Sequence, residues 1–215
     1  MGLAMDVPII VFAKAPRPGF AKTRLIPALG ADGAAALATR MLAHTLREAA
    51  AAELGPVELC ATPSTSDPAL QAAAHATGAV LAEQGDGDLG ARMHRAISRH
   101  LGNHAHALLI GTDAPAVDAA KLREAATTLR AGAPVFIPAL DGGYALVGLC
   151  RADERLFAGM RWGHAAVMHH TRMRMRTAGI VWRELAPVAD IDEPGDLAHL
   201  PDGWLEALPA RPSDR

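Results

Sequence analysis

Cysteine is nearly missing from this chain. Cys60 and Cys150 alone represent it, ninety positions apart and outside any Cys-x-x-Cys spacing, which excludes a disulfide framework and argues against a zinc site. A reducing, cytoplasmic setting is the expectation. A basic excess is missing too: 21 Lys and Arg stand against 23 Asp and Glu, so the field that polymeric nucleic acid requires is not there. No window approaches the 18 or more apolar residues of a membrane span, and no basic segment followed by a long apolar run opens the chain. Neither nucleic acid nor membrane is an expected partner. Lysine is scarce in a telling way. Of three lysines against eighteen arginines, two fall in a single loop.

What is present is β/α alternation over 215 residues, enough for one large domain that buries roughly 70% of its unfolded surface. Ala107 to Ile110 is apolar on both alternating faces, as in a central strand covered by helices on two sides. Gly111, Thr112, Asp113 and Pro115 follow it, at the carboxyl end where open α/β sheets bind ligands. Further strands are expected at Val7 to Ala13, Val57 to Ala61, Ala79 to Ala82, Val135 to Pro138, Ala145 to Leu149 and Ile180 to Leu185. Helices are expected at Asp32 to Ala51 with Asp32 as a cap, Asp67 to Thr77, around Leu89 to Ile97, around Leu122 to Leu129, and at Ala165 to Thr177. The short turn before Ala145 suggests a local antiparallel pair. The reading is a single α/β domain over 1–205, a mostly parallel sheet with helices on both faces, followed by a flexible tail at 206–215.

Four stretches carry candidate chemistry. Lys14-Ala-Pro-Arg-Pro-Gly-Phe-Ala-Lys-Thr-Arg24 places Lys14, Arg17, Lys22 and Arg24 on a Pro/Gly loop after the first strand, a natural cradle for phosphate. Gly19 to Thr23 is similar to the end of a Walker A loop, but Pro16 and Ala21 stand where that motif needs glycine. Gln84-Gly-Asp-Gly-Asp-Leu-Gly-Ala-Arg92 offers an amide that suits a nucleobase edge, with glycines that admit a close backbone. Asp141-Gly-Gly-Tyr144 and Asp190-Ile-Asp192 put carboxylates after strands, where with Asp113 they could converge on a divalent cation. Helix capping is the alternative for Asp113, Asp190 and Asp192. Arg172-Met-Arg174-Met-Arg176 reads as a solvated helix face.

Taken in order, these blocks resemble the small bacterial glycosyltransferase-A-like proteins of the nucleotide-diphospho-sugar transferase family. The resemblance covers nearly the whole chain. It rests on Val11 to Gly19 with Lys22 to Leu25, Gln84 with Gly87 to Met93, Gly111 to Pro115, Asp141 to Tyr144, and Asp190 to Asp192 with Asp196-Leu197. The first and last blocks also resemble nucleotidyltransferases built on the same fold. The resemblance implies that Lys14, Lys22 and Arg24 meet phosphates, that Gln84 and Gly87 meet the base, and that Asp113 takes the place of the metal-binding acid. The sequence departs from the family in having one carboxylate where many glycosyltransferases have Asp-x-Asp, in His164 where a small hydroxyl residue is expected, and in Glu193 where Thr is expected.

The expectation is therefore a metal-assisted glycosyltransferase with a nucleotide-diphospho-sugar donor, an unidentified small-molecule acceptor, and Mg²⁺ or Mn²⁺. Catalysis is assigned to Lys22, Asp113 and Asp141. Nucleotide binding is assigned to Lys14, Arg17, Gly19, Lys22, Arg24, Gln84, Gly87, Arg92, Thr112, Gly142 and Gly143, and metal binding to Asp113, Asp190 and Asp192. The alternatives are nucleotidyl transfer from a nucleoside triphosphate to a phosphorylated small molecule, and a non-catalytic nucleotide-binding module.

Overall fold

Strands and helices alternate along the chain. The computed structural model describes residues 6–209, with strands β1 Ile9–Lys14, β2 Val57–Thr62, β3 Val80–Glu83, β4 Ala107–Gly111, β5 Val135–Pro138, β6 Tyr144–Leu149 and β7 Arg183–Glu184. Helices are α1 Ile26–Ala51, α2 Pro68–Thr77, α3 Leu89–Leu101, α4 Ala119–Arg130 and α5 Val167–Thr177. The strands form one sheet in the order β3-β2-β1-β4-β6-β5-β7. All neighbours are parallel except at β6, which runs against both β4 and β5. Among the described residues no helix is long and apolar enough to cross a membrane.

The two apolar faces of the central strands sort the core. Ile9, Val11 and Ala13 of β1 pack with Leu108 and Ile110 of β4 against α1, α2 and α4. Ile10, Phe12 and Leu109, the intervening residues, pack against α3 and α5 through Met93, Ile97, Met168 and Met175. Alternate side chains of a strand point to opposite faces, so a strand apolar throughout is the pattern of a sheet with two covered faces. Leu37 and Met41 of α1 do not reach the sheet. They enclose Leu25, Ile191 and Trp204 in a separate cluster, which later fixes the direction of two carboxylates.

Several boundaries differ from the expected ones for local reasons. Strand β1 starts at Ile9 because Pro8 has no N–H to enter the ladder. Asp32 does not cap α1: helical bonding begins at Ile26, with a break at Gly30 (φ 74°, ψ 168°). The strand expected over Ile180 to Leu185 shrinks to Arg183–Glu184. Its partner β5 is only four residues long, and Pro138 and Pro187 each remove a ladder donor. At the far end Leu208 packs beside the Trp204 cluster; residues 210–215 of the expected tail lie outside the described part.

Candidate active site

A cleft of about 520 Å³ opens at the carboxyl edge of β1, β3 and β4. Lys14, Lys22, Arg24, Gln84, Thr112, Asp113, Asp141, Gly143, Asp190 and Asp192 line it, with Phe20, Leu89, Met93, Tyr144, Trp162 and His164. Because β6 is reversed, its amino end meets the carboxyl end of β4 at this rim. That is how the turn Asp141 to Gly143 reaches the same cleft as Asp113.

Lys22 is the centre of the arrangement. Its backbone is left-handed (φ 50°, ψ 41°), an uncommon state for a residue with a Cβ, and it turns the chain so that Leu25 enters the core while the ammonium enters the cleft. The side chain is 6% exposed. Nζ pairs with Asp113 Oδ1, with Asp192 Oδ1 at 2.9 Å and donates to Ile191 O at 2.6 Å. Burial alone would lower its pKa, but the charges of Asp113 and Asp192 outweigh burial and hold it above the ordinary 10.5. The two other loop cations that line the cleft are exposed: Lys14 lies over the Phe20 ring at 4.0 Å, and Arg24 faces Glu193 at 3.6 Å.

The carboxylates owe their placement to their neighbours. Ile191 is completely buried with Leu25, Leu37 and Met41, so the residues on either side of it, Asp190 and Asp192, both line the cleft. Its N–H donates to Asp113 O at 2.8 Å, tying that segment to the end of β4. The capping alternatives find no support, since α4 is capped by Asp118 and the last short helix, Pro194–His199, by a box of Glu193 and Asp196. Asp190 is held above the ordinary carboxylate range, first by burial and then by the charge of Asp141. Among the described residues no Lys, Arg or His pairs with Asp141 or Asp190.

Other expected site residues are occupied elsewhere. Arg17 Nε donates to Asp67 Oδ2 at 2.6 Å, and Asp67 is the buried cap of α2, accepting from Ala69 and Leu70. Burial would raise the Asp67 pKa, but Arg17 and the two N–H groups outweigh it and hold the carboxyl low. Arg17 is thus a strut between the loop after β1 and α2. Asp67→Ala should cost about 2 kcal/mol by loss of cap and ion pair, while Arg17→Ala should cost up to about 1 kcal/mol and leave nucleotide affinity within about twofold. Urea denaturation and nucleotide titration of both variants check this; a tenfold loss of affinity in Arg17→Ala would show a direct phosphate contact instead.

Gln84 is buried, and both protons of Nε2 go to the carbonyls of Ala13 and Cys60, at 3.3 and 3.1 Å. Arg92 donates to Gly87 O at 2.9 Å, and Arg95 holds the carbonyls of Gln84 and Asp86 at 2.6 and 2.8 Å. Arg92, Gly19, Gly87 and Gly142 shape loops near the cleft but do not line it. The three arginines of α5 are partnered rather than merely solvated: Arg172 pairs with Glu184, Arg174 donates to the carbonyls of Arg155 and Ala158, and Arg176 lies over Trp182.

Sequence reasoning did not single out Arg95 or Phe20. Leu89 and Met93 belong both to a helical stripe and to the block Gly87 to Met93, and neither context marks them as cleft-lining. Arg95 sits on the turn after Gly90 with no local mark of its role.

A family model matches residues 45–164 of this chain. The chain belongs to the family described as "Uncharacterized protein conserved in bacteria (DUF2064)". Among solved structures, this DUF2064 protein is similar to a candidate nucleotide-diphospho-sugar transferase from Desulfovibrio desulfuricans G20, with 30% identity, a TM-score of 0.82, and coverage of 90% of this chain and 85% of that one. It shares its fold with a cytidylyltransferase from Leptospira borgpetersenii serovar Hardjo-bovis, at 15% identity, TM-score 0.63 and coverage of 90% and 84%. It also shares the fold of glucosyl-3-phosphoglycerate synthase from Mycobacterium tuberculosis, solved with Mn²⁺, UDP and glucosyl-3-phosphoglycerate, at 10% identity, TM-score 0.56 and coverage of 91% and 75%. No curated protein matches it. The DUF2064 chain is a single α/β domain of the nucleotide-diphospho-sugar transferase type.

Proposed function

We propose that this protein is a glycosyltransferase that uses a nucleotide-diphospho-sugar donor. One observation carries the reading above the fold: a buried ammonium, Lys22, is held between Asp113 and Asp192 at the ligand-binding edge of the sheet. A cation fixed in a partly dry cleft is ready to stabilise negative charge that builds on a departing diphosphate, and needs little rearrangement to do so. Lys14 and Arg24 supply further positive charge along the same loop, Gln84 would meet the base, and Thr112 and Gly143 would meet the phosphates.

The donor chemistry of Asp113 and Asp192 suits a hard divalent cation such as Mg²⁺ or Mn²⁺. In the present arrangement their charge is met by Lys22. Among the described residues no group of three or more His, Cys, Asp or Glu side chains is gathered closely enough to enclose a metal. Asp113 and Asp192, with Asp190 behind them, would therefore hold the ion only together with phosphate oxygens and water. When bound, it would neutralise the diphosphate.

The likeness to the Desulfovibrio protein supports transfer of a sugar. The three loop cations that line the cleft and the fold shared with the cytidylyltransferase support nucleotidyl transfer as the second reading. The products decide between them. With Mg²⁺ or Mn²⁺ present, slow release of nucleoside diphosphate and free sugar from one member of a nucleotide-sugar panel is expected, water taking the place of the acceptor. Pyrophosphate release from a nucleoside triphosphate and a sugar phosphate, without nucleotide-sugar cleavage, would establish the second. Binding is tested separately: a matching nucleoside diphosphate with Mn²⁺, at about a hundredfold over Kd, should add about 2.7 kcal/mol, or about 5 to 10 °C in Tm. No shift with any common nucleotide would remove the nucleotide reading.

A further inference from the structure

Lys22 has no proton to spare. An ammonium carries three N–H donors, and those of Lys22 are met by Asp113 Oδ1, by Asp192 Oδ1 at 2.9 Å and by Ile191 O at 2.6 Å. The lysine side chain is 6% exposed, whereas those of Asp113 and Asp192 are 49% and 42% exposed. The two acids are open to solvent, and the cation that joins them is enclosed.

Those acids are also the pair whose chemistry suits a divalent cation. Mg²⁺ binds carboxylate oxygens at about 2.1 Å, closer than any hydrogen bond, so no such ion can take both Oδ1 atoms while the ammonium keeps them. Using the outer oxygens instead would set a divalent ion beside the ammonium across the same two carboxylates, a like-charge juxtaposition that costs affinity. The two cations compete for one pair of acids. The third partner of Lys22 is different in kind. Ile191 O is neutral, and its residue is completely buried with Leu25, Leu37 and Met41, so it anchors the ammonium without matching its charge. A diphosphate in the cleft brings acceptor oxygens of the charge that the two acids supply in its absence.

We infer that Lys22 guards the acid pair: in the free protein its ammonium occupies Asp113 and Asp192 and keeps a divalent cation off them, and it yields them when a nucleoside diphosphate offers oxygens in their place. This rests on the metal-assisted transferase reading and adds an order of events to it. Metal and nucleotide then bind with positive coupling, each raising the affinity for the other by the same factor, and the release of Lys22 contributes to that factor. A lysine that merely held the acids in place as ligands would act with the opposite sign, since its loss would weaken metal binding.

Mn²⁺ alone is the probe. Free Mn²⁺ gives an EPR signal that is lost on binding, so titration of the protein without nucleotide reads the acid pair directly. Lys22→Met is expected to bind Mn²⁺ at least about tenfold more tightly than the wild type, and Asp113→Asn added to it to remove the gain. Lys121→Met, which changes the net charge equally but lies on α4 beside Asp118, is expected to stay within about twofold of the wild type. Lys22→Gln is the second uncharged variant should Lys22→Met fail to fold. An affinity in the uncharged variant equal to or below that of the wild type overturns the inference, and a lower one makes Lys22 a positioning residue for the acids. So does a wild-type protein that holds Mn²⁺ as tightly alone as with a nucleoside diphosphate that raises its Tm. If no nucleoside diphosphate raises Tm, the nucleotide reading falls instead, and the comparison in Mn²⁺ alone still judges Lys22.

Discussion

Lys22→Met is expected to slow nucleotide-sugar cleavage by about two to three orders of magnitude, the usual effect of deleting one preorganised charge-stabilising donor. Methionine fills the same channel but leaves Asp113 and Asp192 facing the diphosphate with no ammonium between them. Both carboxylates are close to half exposed, so they remain hydrated and the fold should survive. The pH dependence carries a sign. The Lys22 pKa is raised in the folded protein, so its contribution to stability is complete below 10.5 and is lost as pH rises through the higher folded value. Urea midpoints of the wild type should therefore fall more steeply than those of Lys22→Met as pH rises above 10.5. Activity within about threefold of wild type, or identical alkaline limbs, would show that the ammonium is not the charge the reaction uses.

Gly142→Ala should have the largest structural effect of any single methyl group near the cleft. Gly142 has φ 92°, a region that costs a residue with a Cβ about 1–2 kcal/mol. A Cβ there would also overlap the carbonyl oxygen of Ala165 and approach its carbonyl carbon and Cα to 2.6 and 2.7 Å. These atoms are backbone, so relief requires moving the segment that carries His164. A loss of at least about 3 kcal/mol is expected. Gly19→Ala is the control, because φ is 73° there but a Cβ meets nothing within 4 Å; it should cost only about 1 kcal/mol. Comparable urea midpoints for the two variants would falsify the claim that the turn and the His164 segment are locked together.

The central strands were legible because two covered faces leave an unmistakable trace: Ala107 to Ile110 has no polar position to spare. The Lys14–Arg24 loop was legible through composition, two of three lysines falling in one Pro/Gly segment. What the sequence did not disclose is how long side chains are spent. Arg17 and Lys22 look alike in a list of loop cations, yet one is committed to a helix cap and the other to two carboxylates brought in from positions far along the chain. The direction of Asp190 and Asp192 depends on Ile191 entering a cluster with Leu25 and Leu37, a contact no local window contains. The short β7 was hidden for a similar reason, since its length is set by the prolines around its partner as much as by its own residues.

That brevity bears on how copies of this protein can meet. An open sheet invites growth at its sides, where unpaired N–H and C=O groups can template another strand. Here one side is closed by a strand of two residues, Arg183 and Glu184, both charged, and the other by β3, four residues ending in Glu83. Neither offers a run long or apolar enough to recruit a second sheet. The two edge strands are thus short, and each carries charge, two of the devices that blunt an open sheet edge.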